Sequence, residues 1–229
     1  MSTTLDLADL ALHANAELEG ATALEIMGWA AERFGSGLVV TSSMADTVMI
    51  HLAEQVAPGI DVVFLDTGYH FVETIGTRDA VRAVHDVNVI DVTADLTVAE
   101  QDARYGRDLF ATDPDRCCAM RKVAPLSRAL EPYAAWATGL RRADSAARAQ
   151  TPVVSWDARR HLIKVAPIAT WSDTDVADYI ERNGLMVNPL LEDGYASIGC
   201  EPCTARSTDD DARGGRWAGR AKTECGIHL

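Results

Sequence analysis

Three short apolar runs, separated by segments of helix length, constrain this chain more than any other feature. Leu38-Val39-Val40-Thr41 reads as a buried strand. The polar turn Ser42-Ser43-Met44-Ala45-Asp46 follows, then a helix from Thr47 to Gln55 with Val48, Met49 and Leu52 turned inward. The unit repeats: Asp61 to Asp66 is a second strand, broken by Thr67-Gly68, a helix runs from Phe71 to Val84, and Asn88 to Val92 is a third strand. Strands alternating with helices predict an α/β fold, a mostly parallel sheet with helices on both faces. In such sheets ligands bind beyond the carboxyl ends of the strands, where the strand order reverses. Ser42–Asp46 and Asp66–Gly68 both fall at that edge.

The flanking segments read more simply. Residues 5–34 carry leucines at helical intervals and form a packing helix pair, closed by Gly35 and Gly37. Residues 95–112 read as polar helix, Asp113-Pro114-Asp115 as a helix start, Ala134–Gly139 as strand and turn, and Leu162–Ile168 as another strand. Ser172–Asp175 caps a helix reaching Asn183-Gly184. Arg141 to Gln150 reads as a mobile basic loop, the chain from Asn188 as irregular, and residues 208–219 as a flexible tail. The expected division is a single nucleotide-binding domain over residues 1–206, with residues 1–35 as its helical edge, and a mobile tail over 207–229.

Composition narrows the function. With 48% apolar and 24% charged residues, the 229-residue chain has an ordinary globular make-up. No apolar run approaches the roughly 20 residues of a membrane span, and the N-terminus lacks the basic start and apolar core of a signal peptide. The expected location is the cytoplasm. A net charge of -13 disfavours nucleic-acid binding. Residues 1–100 hold three basic side chains against sixteen acidic ones, so nearly all the arginine lies in the C-terminal half. Of 21 basic residues 18 are Arg, whose planar fork of donors suits phosphate or sulfate.

Five cysteines in a reducing compartment argue for metal or redox chemistry rather than a disulfide framework. Cys117-Cys118 and Cys200-Glu-Pro-Cys203 together supply four thiolates, enough for zinc or an iron–sulfur cluster. Two adjacent cysteines suit a zinc knuckle poorly, whereas at a helix start they reach two corners of a larger cluster. Spacing alone leaves cluster, zinc and unliganded thiols open. Cys225 is left over, and a spare thiol is a candidate nucleophile. Lys222 and His228 flank it and Arg213, Arg216 and Arg220 precede it, cations that favour the reactive thiolate. Judged alone, Cys225 would read as an inert terminal thiol. The Ser42–Asp46 turn can hold phosphate or ribose, but it lacks the lysine of a Walker motif.

Taken together, these motifs resemble the phosphoadenylyl/adenylyl-sulfate reductase family, specifically its iron–sulfur branch. The resemblance is carried by Ser42–Asp46, Phe64-Leu65-Asp66-Thr67-Gly68-Tyr69-His70, Cys117-Cys118-Ala-Met-Arg-Lys122, Thr138-Gly139-Leu140-Arg141-Arg142, Cys200-Glu-Pro-Cys203, Arg213-Gly-Gly-Arg216-Trp217 and Glu224-Cys225-Gly226-Ile227-His228. It implies a Rossmann-like fold of the adenine nucleotide alpha hydrolase type. It also implies thioredoxin-dependent reduction of adenosine 5′-phosphosulfate to sulfite and AMP, through a thiosulfonate on Cys225, in sulfate assimilation and cysteine biosynthesis. By the same resemblance Cys117, Cys118, Cys200 and Cys203 hold one 4Fe-4S cluster. Lys122, Arg213, Arg216 and His228 serve the reacting end of the substrate. Ser42, Ser43, Leu65, Thr138 and Gly139 form the adenosine pocket, and Arg141, Arg142 and Arg148 lie in an arginine loop. Two departures stand out: the turn has Met44 and Ala45 where many relatives carry glycine or phenylalanine, and Trp217-Ala218-Gly219 replaces a run of aromatics. Rival readings are reduction of the 3′-phosphorylated substrate or of both, a tRNA sulfur-transfer enzyme, and a cluster- or zinc-bearing redox sensor without catalysis. A homo-oligomer is compatible with all of them.

Overall fold

The computed structural model describes residues 3–207, 213, 215–220 and 222–228, and within the first helix the side chains from Leu7 onward. Residues 208–212 and 214 of the expected flexible tail lie outside the described residues, as does Leu229. In chain order the elements are α1 (Thr3–Leu18), α2 (Ala23–Phe34), β1 (Leu38–Thr41), α3 (Val48–Val56), β2 (Ile60–Asp66), α4 (Val72–Val84) and β3 (Val87–Thr93). Then come α5 (Val98–Tyr105), α6 (Leu109–Thr112), α7 (Pro114–Cys118), α8 (Ala124–Leu130), β4 (Ala135–Thr138), β5 (Val154–Asp157), β6 (Leu162–Val165) and α9 (Asp173–Asn183).

The strands make one six-stranded sheet in the order β3-β2-β1-β4-β6-β5. All neighbours are parallel except the β5–β6 edge pair. The period-two geometry of a strand divides its side chains between two faces. Val40, Phe64, Ala137 and Ile163 join the larger core beneath α1, α2 and α3, whereas Val39, Val63, Trp136 and Leu162 join a second core with Leu126 and Leu130 of α8. Both faces of β1 are therefore dry. That is why its sequence is a continuous apolar run and not an alternating one.

Helix boundaries follow local chemistry. Capping boxes start α2 (Thr22 with Glu25), α5 (Thr97 with Glu100) and α9 (Ser172 with Asp175). The helix read over residues 95–112 is instead two, because Gly106 takes φ of 88° and breaks the run. The strand read to Ile168 ends at Val165, ahead of Pro167. The edge strand β5 was not anticipated. Its four residues lie outside every predicted element, and it becomes a strand by pairing with β6, Val154 opposite Val165. Among the described residues no helix is long and apolar enough to cross a membrane.

The strand order runs outward from β1 to β2 and β3 on one side and from β4 on the other, so the crevice between the carboxyl ends of β1 and β4 is the switch point. Everything considered below gathers there.

Candidate active site

The carboxyl ends of β1, β2 and β4 open into a cavity of about 420 Å³. Ser42 and Ser43 leave β1 into it, Leu65 reaches it from β2, and Thr138 and Gly139 from β4. The turn is tightly built. The Ser42 amide donates to the Val63 carbonyl (3.2 Å), and the Ser42 hydroxyl accepts from the Met44 amide (3.1 Å). Met44 takes a left-handed φ of 58° with its side chain fully buried. A non-glycine residue there is strained, and burial of the thioether holds it in place. Gly139 is tightly surrounded: a Cβ would approach Met49 Cγ at 3.2 Å, and the methionine would have to shift by a few tenths of an ångström.

The lysine is placed by an irregular helix. Asp113 caps α7, accepting from the Arg116 amide at 3.0 Å, and Pro114 occupies its first turn. After Cys118 the helix widens to one π turn over Ala119–Val123 before α8, where Pro125 has no N–H to donate back. The widened turn sends two cations different ways. Arg121 is buried and donates to the Thr67 and Leu96 carbonyls and to Gln101 Oε1. Lys122 lines the cavity and also a smaller one formed by the cysteines.

Cys117, Cys118, Cys200 and Cys203 are all buried around that smaller cavity, walled by Tyr69, Phe110 and Trp217. Burial, then mutual repulsion with the other thiols, pushes Cys117 up to about 12. Cys118 is pushed up to about 11, chiefly by burial. Four such neighbours become thiolates together only around a positive centre, so the donor set fits a metal cofactor. Among the described residues no three His, Cys, Asp or Glu side chains converge as a single-ion site does. Cys200 behaves differently. Burial raises its pKa, but Lys122, a Thr67 hydroxyl at 3.3 Å and Arg216 more than offset that and lower it. Burial alone would lower the Lys122 pKa, yet the Cys200 and Cys225 thiols raise it, so Lys122 is a buried ammonium between the two.

The tail folds back onto this pair of cavities. Cys225 is half-buried, lines the larger cavity and packs against the cluster of Cys118, Cys200, Cys203 and Trp217. Arg213 and Arg216 line the cavity as well. Arg216 donates to the Ile198 carbonyl (3.2 Å) and lies over Trp217 (4.6 Å), passing a spot that a Gly199 side chain would fill. His228 stacks on Trp136. Burial, then the charges of Lys164 and Arg148, hold it neutral, well below the ordinary imidazole range. Lys164 is itself pushed down to about 8 by burial.

The arginine loop divides. Arg141 and Arg148 line the cavity, and Arg142 does not. The Arg142 guanidinium donates to the Thr151 carbonyl (2.9 Å) and pairs with Glu19, just after α1 (2.6 Å), so the structure does not bring it to the cavity where the sequence reading expects it. The segment read as a mobile loop is instead two short turns, Arg142–Asp144 and Ala146–Arg148, tied by ion pairs. Four lining or supporting residues stand within the sequence motifs without a part of their own there: Asp46, Thr67, His70 and Glu224. Asp46 caps α3 through the Val48 amide (3.0 Å), and His70 Nε2 donates to the Leu65 carbonyl (2.7 Å) in its burial-favoured neutral form. Glu224 belongs to the terminal motif, but its partner Arg148 lies 76 residues upstream, beyond the reach of any local pattern.

Residues 37–206 match the family model described as the phosphoadenosine phosphosulfate reductase domain. The chain belongs to the PAPS/APS reductase family. This reductase is 63% identical to the adenosine 5′-phosphosulfate reductase of Streptomyces coelicolor, over 99% of this chain and 96% of the relative. It is 54% identical to the adenosine 5′-phosphosulfate reductase of Mycolicibacterium smegmatis, over 100% and 97% of the two chains. Such coverage takes in the tail as well as the sheet. The crystal structure of phosphoadenylyl-sulfate (PAPS) reductase from Candida auris, a phosphate complex, superposes with a TM-score of 0.73 at 27% identity, covering 85% of this chain and 96% of that one. The expected family and α/β fold are thus borne out, and the protein is an oxidoreductase acting on sulfur compounds.

Proposed function

We propose that this reductase converts adenosine 5′-phosphosulfate to sulfite and AMP, with Cys225 as nucleophile and thioredoxin as the dithiol reductant. The observation that carries the reading is the meeting of Cys225, Lys122, Arg213 and Arg216 in one cavity with Ser42, Ser43, Leu65, Thr138 and Gly139 at the sheet's switch point. The relatives named for adenosine 5′-phosphosulfate reduction favour the unphosphorylated substrate.

The residues take the following parts. The hydroxyls and amides at Ser42–Ser43 and Thr138–Gly139 receive the adenosine end. Lys122, Arg213 and Arg216 receive the sulfate and disperse the charge that develops on the departing phosphate. The Cys225 thiolate attacks the sulfate sulfur, the bond from that sulfur to the phosphate oxygen breaks, and AMP leaves, with the SO₃ group now on Cys225. A thioredoxin thiolate then attacks Cys225 Sγ and expels sulfite with the bonding electrons. The second thioredoxin thiol resolves the mixed disulfide, so two thiols are oxidised as S(VI) becomes S(IV). His228, kept neutral against Trp136, anchors the chain just beyond the nucleophile.

Cys117, Cys118, Cys200 and Cys203 are the residues that would hold a 4Fe-4S cluster. When bound, such a cluster supplies a positive core that lets four buried thiolates coexist beside Lys122. In this reading the protein acts in the cytoplasm, and the segment holding Cys225 carries the thiol from substrate to reductant.

The deciding experiment incubates the protein with adenosine 5′-phosphosulfate in the absence of thioredoxin. One SO₃ mass should appear on the peptide holding Cys225 and vanish with dithiol. An adduct on another residue, or none, overturns the mechanism, and a parallel incubation with the 3′-phosphorylated compound decides the substrate. Protein purified without air should be brown with about four irons per chain. Colourless protein with stoichiometric zinc would instead overturn the cluster assignment.

A further inference from the structure

We infer that Glu224 is a positioning residue, the latch that seats the Cys225 thiol in the cavity. Its two carboxylate oxygens each accept a hydrogen bond of 2.8 Å from Arg148, the fork-on-fork geometry that is strongest for this pair. Arg213 adds a contact at 3.4 Å and also donates to the neighbouring Thr223 carbonyl at 3.1 Å. The Glu224 and Arg148 side chains are only 12% and 14% exposed, so water competes little for them. This separates the pair from a surface salt bridge, which contributes almost nothing.

Arg148 is in turn fixed from behind. Asp144 holds it at 2.9 Å, Arg141 holds Asp144 at 3.0 Å, and Asp173 at the start of α9 holds Arg141 at 2.8 Å. An ion-pair chain therefore runs from the start of α9, through the loop after β4, to the residue preceding the nucleophile. Burial would raise the Glu224 pKa, but Arg148, Arg213 and Arg216 outweigh it and lower it, so the latch is charged at neutral pH. One planar peptide bond joins Glu224 to Cys225, so fixing the first holds the Cα of the second within about 3.8 Å and restricts where its thiol can go. Beyond Cys225, Gly226 has φ of 81°, a turn that only glycine makes cheaply. Glu224 thus holds the chain on one side of the thiol, and His228 on Trp136 holds it beyond that turn.

The inference rests on Cys225 being the nucleophile, and its test has an arm that does not. The probe is iodoacetamide on the full chain as purified, with the label mapped to the tail peptide and Cys225→Ser as the blank. Rates are read on the high-pH plateau, where every Cys225 is thiolate, so they report access and not acidity. Glu224→Gln keeps the shape of the side chain and removes its charge. It should raise the plateau rate about tenfold, the effect of losing a charge-assisted pair. Salt should change the labelling rates of the unaltered protein and of Glu224→Gln little, since a buried pair is screened far less than an exposed one. Glu224→Asp, which keeps the charge, should lie between the two.

An unchanged plateau rate in Glu224→Gln would overturn the latch. With adenosine 5′-phosphosulfate at saturation, Glu224→Gln should also form the Cys225 adduct about tenfold more slowly with little change in KM. A loss confined to KM would make Glu224 a part of substrate binding and overturn the positioning role. If labelling responds as described but even the unaltered protein forms no adduct, the latch stands and the proposed reaction is what fails.

Discussion

His228 lies flat against Trp136, ring centroids 5.6 Å apart and planes within 10°. The pairing joins the last described residue of the tail to the middle of β4, so the tail docks on the sheet itself. It also makes docking sensitive to acid.

The imidazole is neutral in the docked state because burial, and then Lys164, Arg148, Arg160 and Arg213, all oppose a further positive charge. Released, His228 returns to its ordinary value of 6.5. Its folded pKa is depressed, so below that pH the released form binds a proton that the docked form does not. Docking is thus full above pH 6.5 and weakens as pH falls through it, by up to about 1.4 kcal/mol per pH unit. The protection factors of the amides of residues 222–228, exchange rates divided into the intrinsic rate at each pH, should fall between pH 7 and 5. His228→Phe, which keeps the stacking face, should flatten that dependence. An equal slope in the variant would show that another group titrates.

Cys225→Ser should release no sulfite and take up no SO₃ mass, while keeping the colour and metal content proposed for the other four cysteines. The expectation follows from geometry: Cys225 lines the large cavity, and the other four line the smaller one. Sulfite release by the variant, followed in a thioredoxin-coupled assay, would move the nucleophile elsewhere.

How far these features could be read from the chain depends on whether their cause is local. The three apolar runs of β1, β2 and β3 and the capping residues Thr22, Thr97 and Ser172 act through neighbours, so the alternating fold was legible. The same holds for the cysteine motifs, whose spacing is itself the signal. By contrast, β5 exists only because Val154 meets Val165 across the sheet edge. The fate of Arg142 is decided by Glu19, 123 residues away, and that of Arg148 by Glu224. Two arginines six positions apart look equivalent in the sequence, and only their distant partners Glu19 and Glu224 separate them.

Arg142→Ala should leave kcat and KM unchanged. Its pairing with Glu19 is about a third exposed on one side and nearly half on the other, a setting in which an ion pair contributes at most about 1 kcal/mol. Steady-state kinetics check the assignment, and a change of tenfold or more would return Arg142 to the substrate pocket.

Lys122→Met should fold, since a thioether fits a buried stem, but should lose activity steeply. The ammonium stands between Cys200 and Cys225 and faces the substrate cavity. Removing a preorganised donor from such a site costs on the order of 10²–10³ in kcat. The Cys200 thiol should become less acidic, because Lys122 is the first charge that opposes the effect of its burial. Single-turnover adduct formation is the measurement, and a rate within a few-fold of the unaltered protein would remove Lys122 from the reacting end.

Gly199→Ala separates the placement of a cation from its presence. A Cβ at residue 199 would run into the Arg216 guanidinium, the far end of a flexible side chain, so the backbone need not move and stability should fall by no more than about 1 kcal/mol. The guanidinium, though, must leave the seat between the Ile198 carbonyl and the Trp217 ring. The charge stays on the chain and its position is lost. Activity should therefore drop about tenfold while thermal unfolding shifts little, because a misplaced group forfeits the orientation on which catalysis depends. Arg216→Ala in the same assay gives the limit for complete removal. Full activity in Gly199→Ala would mean that Arg216 reaches the sulfate from more than one position.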